Sequence, residues 1–244
     1  MSILKLSQDA QGHAMYDFYQ GKQVSVIIER DDGYIDVDDG PKVYFSKFKD
    51  WSDHQKQAMK YVKGRVIDIG CGAGRHSLYL QSKGFDILGI DVSPYALKVC
   101  KLRGIKKIKL MPASELSSKL GKFDTILMLG NNFGLFENIK FSRRLLKKFS
   151  SITNDRAQII AETLDPYGTK EKYHTKYHKQ NRRKGKCGGE VILRARYLNY
   201  ITPWFKYWLA AKSEIKQMLV GTDWHVCKFI NSKGPIYIAV IIKR

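Results

Sequence analysis

Val66-Ile67-Asp68-Ile69-Gly70-Cys71-Gly72-Ala73-Gly74 is the stretch on which the architecture turns. Its first residues form a short apolar run of the kind buried in a parallel sheet, and three glycines follow at alternate positions. Glycine lets the chain turn tightly and lets backbone approach a ligand that a Cβ would hold off. Position 75, where a dinucleotide-binding turn would carry its last glycine, is Arg75. Residues 75–83 then show helical periodicity in His76, Leu78, Tyr79 and Leu80, and the pattern stops at Gly84. A second buried-type run, 85–90, is followed by Asp91, 21 residues beyond Gly70. A carboxylate there can accept two hydrogen bonds from a ribose diol. Strand, glycine turn, helix, strand and acid in that order are far more specific than the glycines alone.

The same rhythm continues on the C-terminal side. Ser93 is placed to cap a helix over 94–102, with Pro94 at its first position. Strands are expected at 106–111, 123–129 and 157–163, with a helix at 141–151. Apolar strands alternating with helices imply an α/β, doubly wound, mostly parallel sheet, with ligands at the carboxyl ends of the strands. Runs at 225–230 and 235–242, joined through 231–234, read as an antiparallel hairpin closing that sheet. Residues 166–190 interrupt the pattern as a basic insert; within it, 170–186 carry eight Lys/Arg and one Glu. A strand-like run at 191–201, an aromatic stretch at 204–211 and a helix at 213–219 follow.

Toward the N-terminus, runs at 24–29 and 33–37 separated by Arg30-Asp31-Asp32 read as a hairpin. Asp36, Asp38, Asp39, Gly40 and Pro41 make a turn-rich boundary. From 43 to 62 apolar residues recur at helical spacing, which predicts one or two helices. The division expected is 1–62 as an N-terminal hairpin and helical lid segment, then 63–244 as the main domain with its insert.

The 66–74 stretch, taken with Gly89-Ile90-Asp91-Val92-Ser93 and Lys122-Phe123-Asp124-Thr125-Ile126, resembles the class I S-adenosylmethionine-dependent methyltransferase family. The likeness covers about residues 60–165, and the C-terminal hairpin matches the seven-stranded sheet of that fold. The resemblance implies S-adenosyl-L-methionine as cofactor and a role for each matching residue. Gly70, Cys71, Gly72 and Gly74 would lie along its methionine part, with Asp68 near the ammonium. Asp91 would bind the ribose hydroxyls and Val92 would pack on the adenine. Ala113 and Ser114 would meet the adenine edge, where only Glu115 stands in for the family's frequent Asp. Leu129 and Gly130 would pass the methionine and sulfonium end. The residues agree with a cofactor lacking phosphates, since neither a P-loop lysine nor a diphosphate clamp is present.

Methyl transfer from a sulfonium depends mainly on placing the acceptor, so the family has no universal catalytic residue. Gly130-Asn131-Asn132-Phe133-Gly134 lacks the Pro-Pro of relatives that methylate adenine N6, which disfavours that reaction. Asn131 is a candidate acceptor contact and Asn132 a candidate catalytic residue; satisfying turn backbone is the competing role for both. Met15-Tyr16-Asp17-Phe18-Tyr19 resembles the entry of many small-molecule methyltransferases, making Tyr16 and Tyr19 candidate lid aromatics. In the insert, Tyr173–Tyr177–Asn181 and His174–His178–Arg182 fall at i, i+4. Tyr177 and Arg182 are then candidate substrate contacts and His178 a candidate base, against the alternative of a solvated basic helix. A metal site is not expected, because His174 and His178 have no evident third ligand.

Composition bounds the partners. The 244 residues carry 43 Lys/Arg and 23 Asp/Glu, a net of +20. Residues 1–60 hold 8 basic and 10 acidic groups, so 61–244 carry +22. An anionic small acceptor or RNA suits that balance. The four cysteines include no CxxC pair, and no apolar stretch is long enough for a membrane span, so a cytoplasmic protein is expected. The reading is a methyltransferase acting on a small-molecule acceptor; the alternatives are a tRNA or rRNA methyltransferase and a non-catalytic binding module.

Overall fold

The computed structural model describes residues 2–38 and 40–244; Asp39, in the expected boundary turn, lies outside them. The elements begin with helix α1 (Ala10–Tyr19), strands β1 (Val26–Arg30) and β2 (Ile35–Asp38) and helix α2 (Asp53–Ala58). Next come β3 (Val66–Ile69), α3 (Arg75–Ser82), β4 (Ile87–Asp91), α4 (Pro94–Leu102), β5 (Ile108–Leu110) and β6 (Phe123–Met128). Then follow α5 (Ile139–Ser151), β7 (Thr153–Leu164), α6 (Lys172–Arg183) and β8 (Glu190–Tyr197). The chain ends with β9 (Tyr200–Ile201), β10 (Phe205–Trp208), α7 (Lys212–Leu219), β11 (Trp224–Asn231) and β12 (Ile236–Lys243).

The main sheet has seven strands in the order β11-β12-β7-β6-β3-β4-β5. β3 and β4 are parallel, as are β4 and β5, and β6 and β7. β12 runs antiparallel to both β7 and β11, the expected closing hairpin. All four residues of β3 are buried, as expected of a parallel strand covered on both faces, and so are Tyr237 through Ile241 of the antiparallel β12. The cap predicted for α4 is present: the Ser93 side chain accepts a hydrogen bond from Ala96 N, and Pro94 takes the first helical position.

The chain divides into two compact units. One comprises Met1–Trp51, Val66–Glu115 and Ile192–Phe205; the other comprises Ser52–Arg65, Leu116–Val191 and Lys206–Arg244. The expected N-terminal hairpin forms, with Ile27 opposite Val37. Its other edge, however, pairs with β8, setting Ile28 against Ala195 in a second sheet of order β10-β8-β1-β2. Helix α1 lies on this sheet, where Ala10 and Ala14 share a buried cluster with Val24, Val26, Ala195 and Tyr197. Small side chains at those two positions let the helix approach the strands closely. The strand expected over 191–201 is broken at Leu198, whose φ of 49° turns β9 back on β8. Of the one or two helices expected over 43–62, the structure has the six-residue α2, with short 3-10 turns at Pro41–Phe45, Phe48–Asp50 and Met59–Tyr61 around it. Proline at 41 and the lack of a continuous apolar stripe favour such short pieces.

Candidate functional site

In the first unit the glycine turn is drawn tight by its own backbone. Gly70, Gly72 and Gly74 have φ of 71°, 54° and 79°, a region other residues enter only with strain. Gly70 N and Cys71 N both donate to Ile90 O, at 2.9 and 3.1 Å, and Gly74 N donates to Cys71 O at 2.8 Å. Gly72 N donates to Asp91 Oδ2 at 2.9 Å. Those amides are therefore committed within the protein and form no anion-binding nest. Gly74 has a packing reason as well, since a Cβ there would sit 2.0 Å from Ile105 Cδ1.

Two carboxylates border this turn, Asp68 buried and Asp91 half-buried. Asp91 ends β4, and its other oxygen accepts Ser93 N at 3.0 Å. A carboxylate has about four acceptor positions, so two backbone donors leave room for a diol. Burial pushes Asp91 up from the ordinary carboxylate range and the charge of Asp9 adds to this, against the amides of Gly72 and Ser93. Asp68, 1% exposed, accepts Ser77 Oγ at 2.7 Å. Burial pushes it up to about 7, with the Ser77 hydrogen bond opposing and the Asp91 charge reinforcing the shift. Val92 O accepts Leu4 N at 3.0 Å, and Ala113 and Ser114 form a 3-10 turn with Glu115 shortly after β5.

The N-terminal segment is seated on the turn. A Cβ at Gly72 would meet Met15 Cε at 3.5 Å and Tyr44 Cδ1 at 3.8 Å. Tyr16 instead lies 4.0 Å below Lys98 Nζ and edge-on to Tyr95, and Tyr19 is exposed. Asp9, fully buried, anchors the segment: it accepts Gly12 N at 3.1 Å, Ser93 Oγ at 2.8 Å and Tyr95 N at 2.9 Å. One carboxylate thus serves the first turns of both α1 and α4. Gly12 is required by the same approach, for its Cβ would stand 2.2 Å from Ser93 Oγ. Arg75, at the position of a dinucleotide turn's last glycine, donates to Val43 O and Ser46 Oγ, each at 3.2 Å. Arg103 donates to Tyr44 O and Ala73 O. Met15, Tyr44, Asp9 and Arg103 are not singled out by sequence patterning, because their partners lie far along the chain.

In the second unit β6 runs into Leu129, 2% exposed, and Gly130, whose φ is 70°. Gly130 N donates to Glu162 on β7, which is 3% exposed. The same carboxylate accepts His54 Nε2 at 2.9 Å and receives Gln55 Nε2 at 2.9 Å on both oxygens. Burial alone would raise the Glu162 pKa, but donation from His54, Gly130 and Gln55 holds it below the ordinary range. An acid inside the apolar 157–163 run was the one sequence signal for this cluster. Asn131 takes φ 63°, its carbonyl accepts Tyr207 OH, and its buried Oδ1 has no hydrogen-bond partner. Asn132 opens the 3-10 turn Asn132–Phe136.

The insert folds as α6 with Tyr177, His178 and Asn181 on its buried side. Asn181 Nδ2 donates to Gly188 O at 3.0 Å and Glu190 O at 2.6 Å, closing the basic loop behind the helix. His178 lies edge-on to Tyr167 at 5.7 Å, and exposed Arg182 sits over the same ring at 5.4 Å. Tyr167 is itself tied to Glu214 and Gly188. These inward groups therefore hold the insert on its own scaffold. Among the described residues no cluster of three His, Cys, Asp or Glu could hold a metal ion.

Comparison with known proteins agrees with this geometry. A family model described as a methyltransferase domain matches residues 45–219. A glycine/sarcosine N-methyltransferase from Halorhodospira halochloris is 28% identical over 153 residues, covering 60% of this chain and 54% of the relative. A tRNA U34 carboxymethyltransferase from Proteus mirabilis is 33% identical over 92 residues, 33% of this chain and 28% of the relative. The chain thus spans about half or less of the length of these curated relatives. The crystal structure of a SAM-dependent methyltransferase from Bacteroides fragilis in complex with S-adenosyl-L-homocysteine has a TM-score of 0.84. It is 23% identical, with 99% of this chain and 98% of that one covered, and establishes the shared fold.

Proposed function

The chain belongs to the methyltransferase domain family, the class I enzymes that use S-adenosylmethionine, and we propose that it methylates a small-molecule acceptor. The observation that carries this reading is the seating of Met15 and Tyr44 on Gly72, with Asp9 and Arg75 fastening the segments that bear them. A cover built into the same unit as the glycine turn suits an enclosed site for a small acceptor and excludes water from it. In this proposal residues 1–62 act as the lid and 63–244 as the methyltransferase domain. Four cysteines without a disulfide fit the proposed cytoplasmic setting.

The residues present fit the cofactor. Asp68 is buried, Asp91 is half-buried, and the charge of Asp91 disfavours that of Asp68, so a cationic ligand relieves the repulsion. Asp91 retains acceptor positions for the ribose hydroxyls, and the committed amides of the turn leave nothing for a diphosphate. When bound, the cofactor supplies a methyl group on a sulfonium. The chain's own part is to hold the cofactor through Asp91, Asp68 and the 70–74 backbone and to orient the acceptor. Asn131 Oδ1, buried and unpartnered, is the proposed acceptor contact for an N–H or O–H donor.

Asp91→Ala is expected to weaken S-adenosylhomocysteine binding by at least about 100-fold, since two hydrogen bonds to a charged group are lost at about 1.5–3 kcal/mol each. Calorimetry with the folded variant measures this, and unchanged affinity would remove the ribose assignment. Affinity of the unaltered protein for S-adenosylmethionine should rise with pH through about 7, because only ionised Asp68 attracts the ammonium.

A second reading, RNA as the acceptor, is favoured by the tRNA-acting relative and by the +22 carried on 61–244. A screen with methyl-labelled cofactor against glycine, sarcosine, small amines and phenols, and against total RNA, separates the two. Label in a small molecule is expected; label confined to RNA would overturn the proposal.

A further inference from the structure

Helix α5 presents an unusual face to solvent. Its buried side is Ser142, Leu145, Leu146 and Phe149, and the exposed positions between 140 and 148 are Lys140, Arg143, Arg144, Lys147 and Lys148. All of the charged residues in the helix are basic, and none of these five forms an ion pair among the described residues. An ordinary solvated helix intersperses both signs, because like charges at i, i+4 each destabilise it by about 0.2–0.5 kcal/mol. Here Lys140–Arg144, Arg143–Lys147 and Arg144–Lys148 all repel. The first turn also holds no acid, although the helix dipole favours one there. The stripe continues at the C-terminal end, where Lys122 Nζ donates to Ser151 O at 2.8 Å and Lys243 Nζ to Ser150 O at 3.1 Å.

We propose that the outer face of α5 is a docking surface for the phosphate backbone of structured RNA. Lys140 to Lys148 spans about 12 Å along the helix axis, the length of roughly three to four phosphates of one strand. A basic amphipathic helix binds membranes by inserting its apolar side, but the apolar side of α5 is spent on the core. The wide, shallow minor groove of A-form RNA offers its phosphates to such a flat stripe. Without aromatic residues on this face, binding is electrostatic and indifferent to sequence. The surface is independent of the acceptor, and it lies on α5 rather than on the basic insert.

The test is binding of bulk tRNA to the full chain at increasing salt. With three to four phosphate contacts, log affinity against log salt should fall with a slope of about −2 to −3.6. Replacing Lys140, Arg143, Arg144, Lys147 and Lys148 together by Gln should cut affinity at low salt by at least about 100-fold and flatten the slope toward zero. That variant should melt at or above the temperature of the unaltered protein, because repulsion is removed, and bind S-adenosylhomocysteine unchanged. The variant with Lys172, Lys176, Lys179 and Arg183 replaced by Gln should keep its tRNA affinity. Loss on α6 with retention on α5 would overturn the proposal. So would equal binding of duplex DNA, or binding to phosphatidylserine vesicles that the α5 substitutions abolish.

Discussion

Glu162→Ala is expected to lower the stability of the protein by about 3–5 kcal/mol, the range found when one partner of a buried charged cluster is removed. Glu162 is 3% exposed and accepts from His54, Gln55 and Gly130, so its removal leaves two buried side-chain donors and the Gly130 amide without their acceptor. Two of those donors belong to the start of α2 and the third ends the turn after β6, so the loss loosens both. Urea denaturation measures the effect as a shift in midpoint at unchanged slope. Glu162→Gln should lose less, about 1–3 kcal/mol, because the amide keeps the shape and one oxygen acceptor but meets the Gln55 or His54 donor with a second donor. A Glu162→Ala variant within about 1 kcal/mol of the unaltered protein would show the cluster to be dispensable.

The cluster also fixes a pH dependence whose sign is determined. The folded-state pKa of Glu162 is depressed by its three donors, despite burial. Its contribution is therefore present above the unfolded value of about 4.3 and is lost as pH falls through the folded one. Midpoints measured below pH of about 4 should fall faster for the unaltered protein than for Glu162→Gln, whose amide does not titrate.

Asp9→Ala is the second large effect, expected at about 3 kcal/mol. Loss of a side-chain cap is worth about 1 kcal/mol, and Asp9 serves both α1 and α4. Ser93 Oγ loses its buried acceptor as well, at about 1–3 kcal/mol. The consequence is local, and hydrogen exchange reads it directly. Amides of Gly12 and Tyr95 should exchange faster, whereas those of β11 and β12 should keep their protection until global unfolding. Asp9→Asn should restore most of the capping, since Asn is an equally good cap, while removing a charge that pushes Asp91 up. Equal exchange at Gly12 in Asp9→Ala and the unaltered protein would mean that the N-terminal segment is held by other contacts.

Much of the main sheet was legible because its signals are local. A buried parallel strand needs a continuous apolar run, a sharp βα turn needs glycine at positive φ, and a capped helix needs Ser93 before Pro94. Each requirement falls within a few residues of the element it specifies, so β3 through β7 and the β11–β12 hairpin could be drawn from periodicity. The glycine turn and Asp91 were legible for the same reason: their spacing is set by one βαβ unit, and Gly72 N does meet Asp91.

Neither period nor spacing carries the partners of groups distant in the chain. The pairing of β1 with β8 joins residues more than 160 positions apart, and an alternating strand reads the same whichever neighbour it takes. The choice of Met15 and Tyr44 as the residues over Gly72 depends on how closely α1 can approach, which Gly12, Ala10 and Ala14 decide together. Glu162 looks like a misplaced acid in a strand until His54, Gln55 and Gly130 converge on it. From its own residues the chain determined a doubly wound sheet with a glycine turn facing an acid. Only the folded arrangement decided what covers that turn and what neutralises its buried charges, because desolvation and hydrogen bonding act between whichever groups the packing brings together.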